Sequence, residues 1–335
     1  MTDKSCLTES DQSPLTSPVH AYPIEPDQTP DTQYARPTAR PFSGAFGMLI
    51  TPFRDDGSPD LAALADQADA QCSTRLAGLV VCGSTGEFAL LAPNENEALI
   101  RTAAAAVKGR KMLIAGATAP DARTAMQYLD VCADVGVTAA LIAPPYYYPI
   151  SDDELVCFYE TLSSHPAKVP IIAYQIPAFT RTITMPVFEQ LLAFDRIIGL
   201  KNSSGNIKEI MHQLWSRDQK RISFHLFCGT DDALLPCLAA GCDGSLTALG
   251  GILPEQIARL YEAFVAGDLP AVAAAQSRLM PLLRLCDRFS FPIGYKLLGE
   301  AVCITIGSLR QSLPPARRDE CVTVQNKMKA LLAGG

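Results

Sequence analysis

The chain of 335 residues has only four histidines, a single tryptophan and no Cys-x-x-Cys pair. His20, His165, His212 and His225 fall into no H-x-H or H-E-x-x-H spacing, so no metal site is recognisable and no histidine pairs with a candidate nucleophilic cysteine. The 11 cysteines are odd in number, and Cys82, Cys132, Cys228, Cys237 and Cys242 sit in apolar stretches. That is the usage of reduced core thiols and points to a cytoplasmic setting rather than a disulfide frame. Positive charge is scarce as well: 28 Lys and Arg against 35 Asp and Glu leave a net −7, which offers no general attraction to nucleic acid or anionic membranes. No apolar run reaches the ~18–20 residues that a bilayer crossing requires. An anionic ligand must therefore be held locally, by backbone N–H groups and hydroxyls.

Residues 1–41 are rich in Pro, Thr, Ser, Asp and Gln and lack apolar periodicity. Such a segment buries too little surface to offset its ordering entropy, so a disordered tail is expected. It has neither the apolar stretch of a secretory signal nor the Arg-rich, acid-poor composition of a transit peptide.

From Gly44 onward, short apolar runs alternate with Ala/Leu-rich helical stretches. The runs are Ala45–Ile50, Gly78–Cys82, Met112–Ala115, Thr138–Ala143, Pro170–Tyr174, Ile197–Leu200, Ser223–Phe227 and Gly244–Ala248. The helices expected after them include Asn206–Trp215, Asp231–Ala240 and Pro254–Ala266. Parallel strands need helical crossovers, so this order predicts an α/β fold, a (β/α)8 TIM barrel over 42–267. A doubly wound open sheet is the rival, but no glycine-rich dinucleotide fingerprint follows an early strand. Leu269–Arg288, Pro292–Ile306 and Pro314–Ala333 read as a C-terminal appendage of three helices within 268–335.

Reactive groups of such a barrel belong at the C-terminal ends of its strands. Polar residues gather there: Gly83-Ser84-Thr85-Gly86-Glu87, Pro144-Pro145-Tyr146-Tyr147-Tyr148, Tyr174-Gln175-Ile176-Pro177, Gly199-Leu200-Lys201-Asn202-Ser203 and Cys228-Gly229-Thr230-Asp231-Asp232. Lys201 follows Ile-Ile-Gly-Leu and so emerges from an apolar strand into the barrel mouth. Desolvation disfavours an ammonium relative to a free amine, and a free amine attacks carbonyls. The Gly83–Gly86 turn presents successive backbone N–H groups and two hydroxyls, a nest suited to a carboxylate. Tyr174 can pass protons if its hydroxyl meets another hydroxyl. Taken singly, each also fits a duller role: a surface lysine, an ordinary βα turn, a core aromatic. Glu87 reads as a structural acid rather than a base.

These motifs, with Leu49-Ile50-Thr51-Pro52-Phe53, resemble in order and spacing the dihydrodipicolinate synthase / N-acetylneuraminate lyase family of Schiff-base pyruvate lyases, over roughly Gly44 to Pro315. The resemblance implies that Lys201 forms the imine, that Tyr174 shuttles protons, and that Ser84 and Thr85 bind the pyruvate carboxylate, Ser84 also joining the relay. It implies that Tyr147 completes the relay from a neighbouring subunit, and that Gly229 and Leu246 line the pocket. A homo-oligomer, tetramer or dimer, is implied too, with no metal or organic cofactor. One position departs from the synthase pattern: Phe179 stands where true synthases carry an arginine for the semialdehyde's carboxylate. The Gly-Ser-Thr-Gly-Glu spelling and Lys201-Asn202-Ser203-Ser204-Gly205 lean instead towards the sialic acid lyase and keto-sugar-acid branches. The expected activity is a Schiff-base aldolase, lyase or related dehydratase acting on pyruvate-type 2-keto acids with an aldehyde partner, a keto-deoxy sugar acid or hydroxy-keto acid being the substrate. The alternatives are 4-hydroxy-tetrahydrodipicolinate synthase itself and a catalytically silent pyruvate-binding protein.

Overall fold

The computed structural model describes residues 42–220 and 222–334, so the expectation for 1–41 lies outside it. Eight strands, β1 (Gly44–Met48), β2 (Gly78–Val81), β3 (Met112–Gly116), β4 (Ala139–Ile142), β5 (Ile171–Gln175), β6 (Ile197–Asn202), β7 (His225–Cys228) and β8 (Gly244–Thr247), pair in parallel in chain order. The sheet closes through the β8–β1 pairing from Gly44–Gly244 to Gly47–Thr247. The expected (β/α)8 barrel is therefore the observed one.

Strand residues alternate in direction, and two apolar clusters follow from that alternation. Phe46, Met48, Val80, Ile114, Leu141, Ile172, Tyr174, Phe227 and Leu246 form the smaller one, which fills the barrel. Their neighbours Ala45, Leu79, Val81, Ala140, Ile171 and Leu226 join the larger cluster under the helices. The outer ring comprises α1 (Leu61–Cys72), α2 (Pro93–Val107), α3 (Ala122–Val135), α4 (Asp152–Ser164), α5 (Met185–Leu191), α6 (Ile207–Gln219), α7 (Leu234–Ala240), α8 (Ala248–Ile252) and α9 (Pro254–Val265). Short polar side chains start several of these helices. Asp60 accepts from the N–H of Ala62 and Ala63, Asp121 from Thr124, Ser151 from Glu154, and Asn206 from Glu209. Each such cap satisfies orphan donors of a first turn, typically about 1 kcal/mol. Then α10 (Leu269–Cys286), α11 (Ile293–Ala301) and α12 (Pro315–Ala333) follow.

Three boundaries differ most from the sequence reading. The helix expected over Asn206–Trp215 runs to Gln219, and the one expected over Asp231–Ala240 opens with a 3-10 turn, Asp231–Ala233. The helix expected to reach Ile306 ends at Ala301, because Cys303 takes φ +67° and Gly307 +62°, outside helical space. Helix α8 was hidden by Gly250-Gly251, poor helix formers. Packing explains them: a Cβ on Gly251 would lie 1.8 Å from the Met48 carbonyl oxygen, so only glycine lets α8 lie against β1.

Candidate active site

The ends of β5 and β6 carry the central pair. Tyr174 and Lys201 are direct partners in the β5–β6 register, and both are buried. Lys201 Nζ lies 4.1 Å from the Tyr174 ring centroid and 4.0 Å from Met48 Sδ. An amine held over a ring face and beside a thioether has few polar competitors. Alternation along the same strands turns Gln175 and Asn202 outward. Asn202 Nδ2 donates to Gln213 Oε1 at 3.0 Å, and Gln175 Nε2 donates to Glu209 Oε1 at 2.9 Å. These bonds tie α6 to both strand ends and so fix the height at which Tyr174 and Lys201 project.

The turn after β2 brings the hydroxyls. Ser84 Oγ donates to the Tyr174 hydroxyl at 3.4 Å, the outer limit of a hydrogen bond. The turn closes through the N–H of Gly86 onto the Gly83 carbonyl and that of Glu87 onto the Ser84 carbonyl, 3.0 Å each. Neither of these bonds draws on the N–H groups of Ser84 and Thr85. Thr85 is buried. Glu87, in left-handed backbone at φ +59°, is spent structurally: its Oε1 meets Lys296 Nζ of α11 at 2.5 Å, with both side chains 1% exposed. Burial lowers the Lys296 pKa, and the Glu87 carboxylate opposes that shift. Sequence reasoning assigned Glu87 a structural role but missed its partner.

The loop after β7 supplies the opposite wall. A Cβ on Gly229 would stand 2.1 Å from Ser203 Oγ and 2.9 Å from Lys201 Cε, so a side chain there would push both groups aside. The Gly229 carbonyl accepts from Ser203 Oγ at 2.9 Å. Leu246 of β8 lies in the barrel cluster with Tyr174 and Met48. Asp231 is buried, and its carboxylate accepts from the Leu249 N–H at 3.1 Å. Burial pushes its pKa up to about 6, against the pull of that N–H and of Lys201. Among the described residues, no group of three or more His, Cys, Asp or Glu is placed to hold a metal ion, and no helix is long and apolar enough to cross a membrane.

A pocket of about 190 Å³ opens above Ser84, lined by Phe88, Tyr146, Ile176, Phe179 and Phe291 among others. Phe179 is 53% exposed, with its ring centroid 5.7 Å from that of Phe291. Arg181, the nearest basic residue in sequence, is paired with Asp152 instead. Tyr147 is not brought to Ser84 and Tyr174 within its own chain. It is 87% exposed in left-handed backbone, φ +83°, and its ring meets Tyr148 at 4.9 Å.

Comparison with known proteins places this geometry among relatives. The model of the dihydrodipicolinate synthetase family matches residues 41–331. A 4-hydroxy-tetrahydrodipicolinate synthase from Methanoculleus marisnigri is 31% identical over 288 residues, covering 85% of this chain and 97% of the relative. The corresponding enzyme of Exiguobacterium sibiricum is 31% identical over 283 residues, 83% of this chain and 94% of the relative. Among solved structures, a prophage protein of the dihydrodipicolinic acid synthase family from E. coli K12, in complex with pyruvate, shares the fold at TM-score 0.79 and 23% identity, over 87% of this chain and 99% of that one. CdNal from Clostridium difficile, in complex with mannosamine, shares it at TM-score 0.79 and 22% identity over the same shares.

Proposed function

The chain belongs to the dihydrodipicolinate synthetase family, and from that premise we propose that Lys201 works as the imine-forming nucleophile of a pyruvate-dependent aldolase or lyase. One observation carries the reading: the buried Lys201 amine over the Tyr174 ring, with the Tyr174 hydroxyl against Ser84. The Lys201 amine adds to C2 of the keto acid, and loss of water leaves a protonated imine. The imine is an electron sink, so a C3 proton can leave through Tyr174 and Ser84 to give an enamine. The enamine carbon then bonds to an aldehyde carbon, whose oxygen takes up a proton; cleavage runs the same steps backwards. Water hydrolyses the imine and frees Lys201. The Ser84 and Thr85 N–H groups, with the Thr85 hydroxyl, hold the keto acid's carboxylate.

The pocket speaks against two finer alternatives. A synthase condensing pyruvate with aspartate semialdehyde needs a cation for the second carboxylate. Phe179 occupies that place, and Arg181 is already paired with Asp152. A polyhydroxylated sugar acid needs hydroxyl receivers, yet Asp231 is turned to the Leu249 N–H and Asp232 is paired with Arg284. A hydroxy-keto acid with a less polar tail fits better. Tyr147, exposed on its own chain, is in this reading the part of the relay given to a second copy, and the protein is a homo-oligomer.

Enamine formation needs no aldehyde, so it can be tested alone. In D2O the protein is expected to exchange the methyl protons of pyruvate, followed by NMR, and Lys201→Ala to exchange none above background. Equal exchange by that variant contradicts the assignment.

A further inference from the structure

Three features of the pocket above Ser84 are not explained by the keto-acid half of the reaction. First, its walls are aromatic: Phe88 meets Tyr146 edge-on at 6.0 Å, and Phe179 meets Phe291 at 5.7 Å, with Tyr295 packed behind Phe291 at 5.5 Å. Second, several of the polar groups at its rim are occupied. Thr180 Oγ1 donates to the Ile176 carbonyl at 3.3 Å, and Gln311 Nε2 donates to the Phe291 carbonyl at 3.2 Å. Glu87 is bound to Lys296 and Arg310 to Glu95. Only Ser84, which faces Tyr174, belongs to the reactive chain. Third, Phe179 and Leu90 stand 53% and 44% exposed at this pocket, apolar surface that no other described residue covers.

Resting on the Schiff-base reading, we propose that the aldehyde partner carries an aromatic ring, or a flat apolar group of like size, which lies in this pocket among Phe88, Tyr146, Ile176, Phe179 and Phe291. The size agrees. A cavity of roughly 150 Å³ lined by Leu, Ile and Phe admits benzene, and the space here is about 190 Å³, room for one ring with its carbonyl. Rings prefer edge-to-face and offset neighbours, the arrangement its walls already show among themselves. A carboxylate would face phenyl groups with no cation among the described lining residues, and a polyol would exchange water for a mostly apolar wall, so both are disfavoured by desolvation. In the addition direction pyruvate C3, as the enamine carbon, bonds to the aldehyde carbon. The carbonyl π pair goes to oxygen, which is protonated from the Tyr174–Ser84 relay, and water releases a 4-hydroxy-2-oxo acid bearing the ring at C4. The water lost in forming the imine is regained in its hydrolysis, so no further reactant is needed.

The test gives the full-length protein pyruvate with benzaldehyde, aspartate semialdehyde or glyceraldehyde in separate arms. Hydroxy-oxo acid formation is followed by chromatography with mass detection, and the pyruvate imine is trapped with borohydride in the same preparation. The expected result is a kcat/KM for benzaldehyde at least about tenfold above either polar aldehyde. Phe179→Ala is expected to lower that value about tenfold, mainly through KM, and Phe179→Tyr, which keeps the ring, to retain most of it. Equal or better use of a polar aldehyde overturns the proposal, as does failure to use any of the three while the imine is trapped. Absence of the imine instead brings down the Schiff-base reading beneath it, and the two failures are told apart by that trap.

Discussion

At the scale of single residues, the site depends on what surrounds each group more than on its identity. Asp231 shows this most plainly. Its carboxyl titrates near 6 because burial penalises the charged form, whereas an exposed aspartate ionises near 3.8. The folded state therefore holds the proton more tightly than the unfolded chain. This contribution to stability is fully present below about pH 4 and is lost as pH rises towards 6. Asp231→Asn keeps an oxygen acceptor for the Leu249 N–H and removes the titration. Its unfolding free energy relative to the parent, from urea melts at several pH values, is expected to rise between pH 4 and 7 by up to about 3 kcal/mol. A difference that stays flat, or falls, contradicts the environment described for Asp231. Lys201, Tyr174 and Ser84 were legible because strand-end position and motif order both pointed to them, and the fold brings them together. Tyr147 was named only through resemblance, since nothing in Tyr146-Tyr147-Tyr148 says which ring turns outward, and its proposed part in the relay awaits a second copy of the chain. Gly229 was named through resemblance as a lining residue; what the sequence did not show is how closely it approaches Ser203 Oγ and Lys201 Cε.

At the scale of elements, the βα alternation was readable because each strand is a short apolar run and half of the described helices begin on a polar side-chain cap. What escaped was set by long-range packing. Helix α8 forms despite two glycines because β1 leaves no room for side chains there. The Glu87–Lys296 pair joins residues 209 positions apart, a contact no local pattern announces. It ties α11, in the C-terminal appendage, to the turn that carries Ser84 and Thr85. Lys296 also stands 4.5 Å over the Phe53 ring. Lys296→Met leaves the Glu87 carboxylate buried and unpaired, which is expected to cost about 3–5 kcal/mol in denaturant unfolding. Adding Glu87→Leu removes the stranded charge and is expected to recover much of that loss. If the single variant loses less than about 1 kcal/mol, the pair does not fasten the turn as described.

At the scale of the whole molecule, the family match begins at residue 41 and every residue proposed to act, from Ser84 and Thr85 through Tyr147 and Tyr174 to Lys201, lies beyond it. Deleting residues 1–41 is therefore expected to keep kcat within a few-fold of the full chain. A much larger loss, with the circular dichroism spectrum unchanged, would give that segment a part in the site or in assembly. The barrel sets Lys201 on β6, Tyr174 beside it on β5 and the Ser84–Thr85 turn after β2, and the proposed chemistry stands on the first of these. The most direct measurement is borohydride reduction in the presence of pyruvate, followed by peptide mass mapping. The account predicts a single pyruvate-derived adduct on the peptide containing Lys201, lost in Lys201→Ala. An adduct on another lysine, or none while the protein turns over a 2-keto acid, would contradict it.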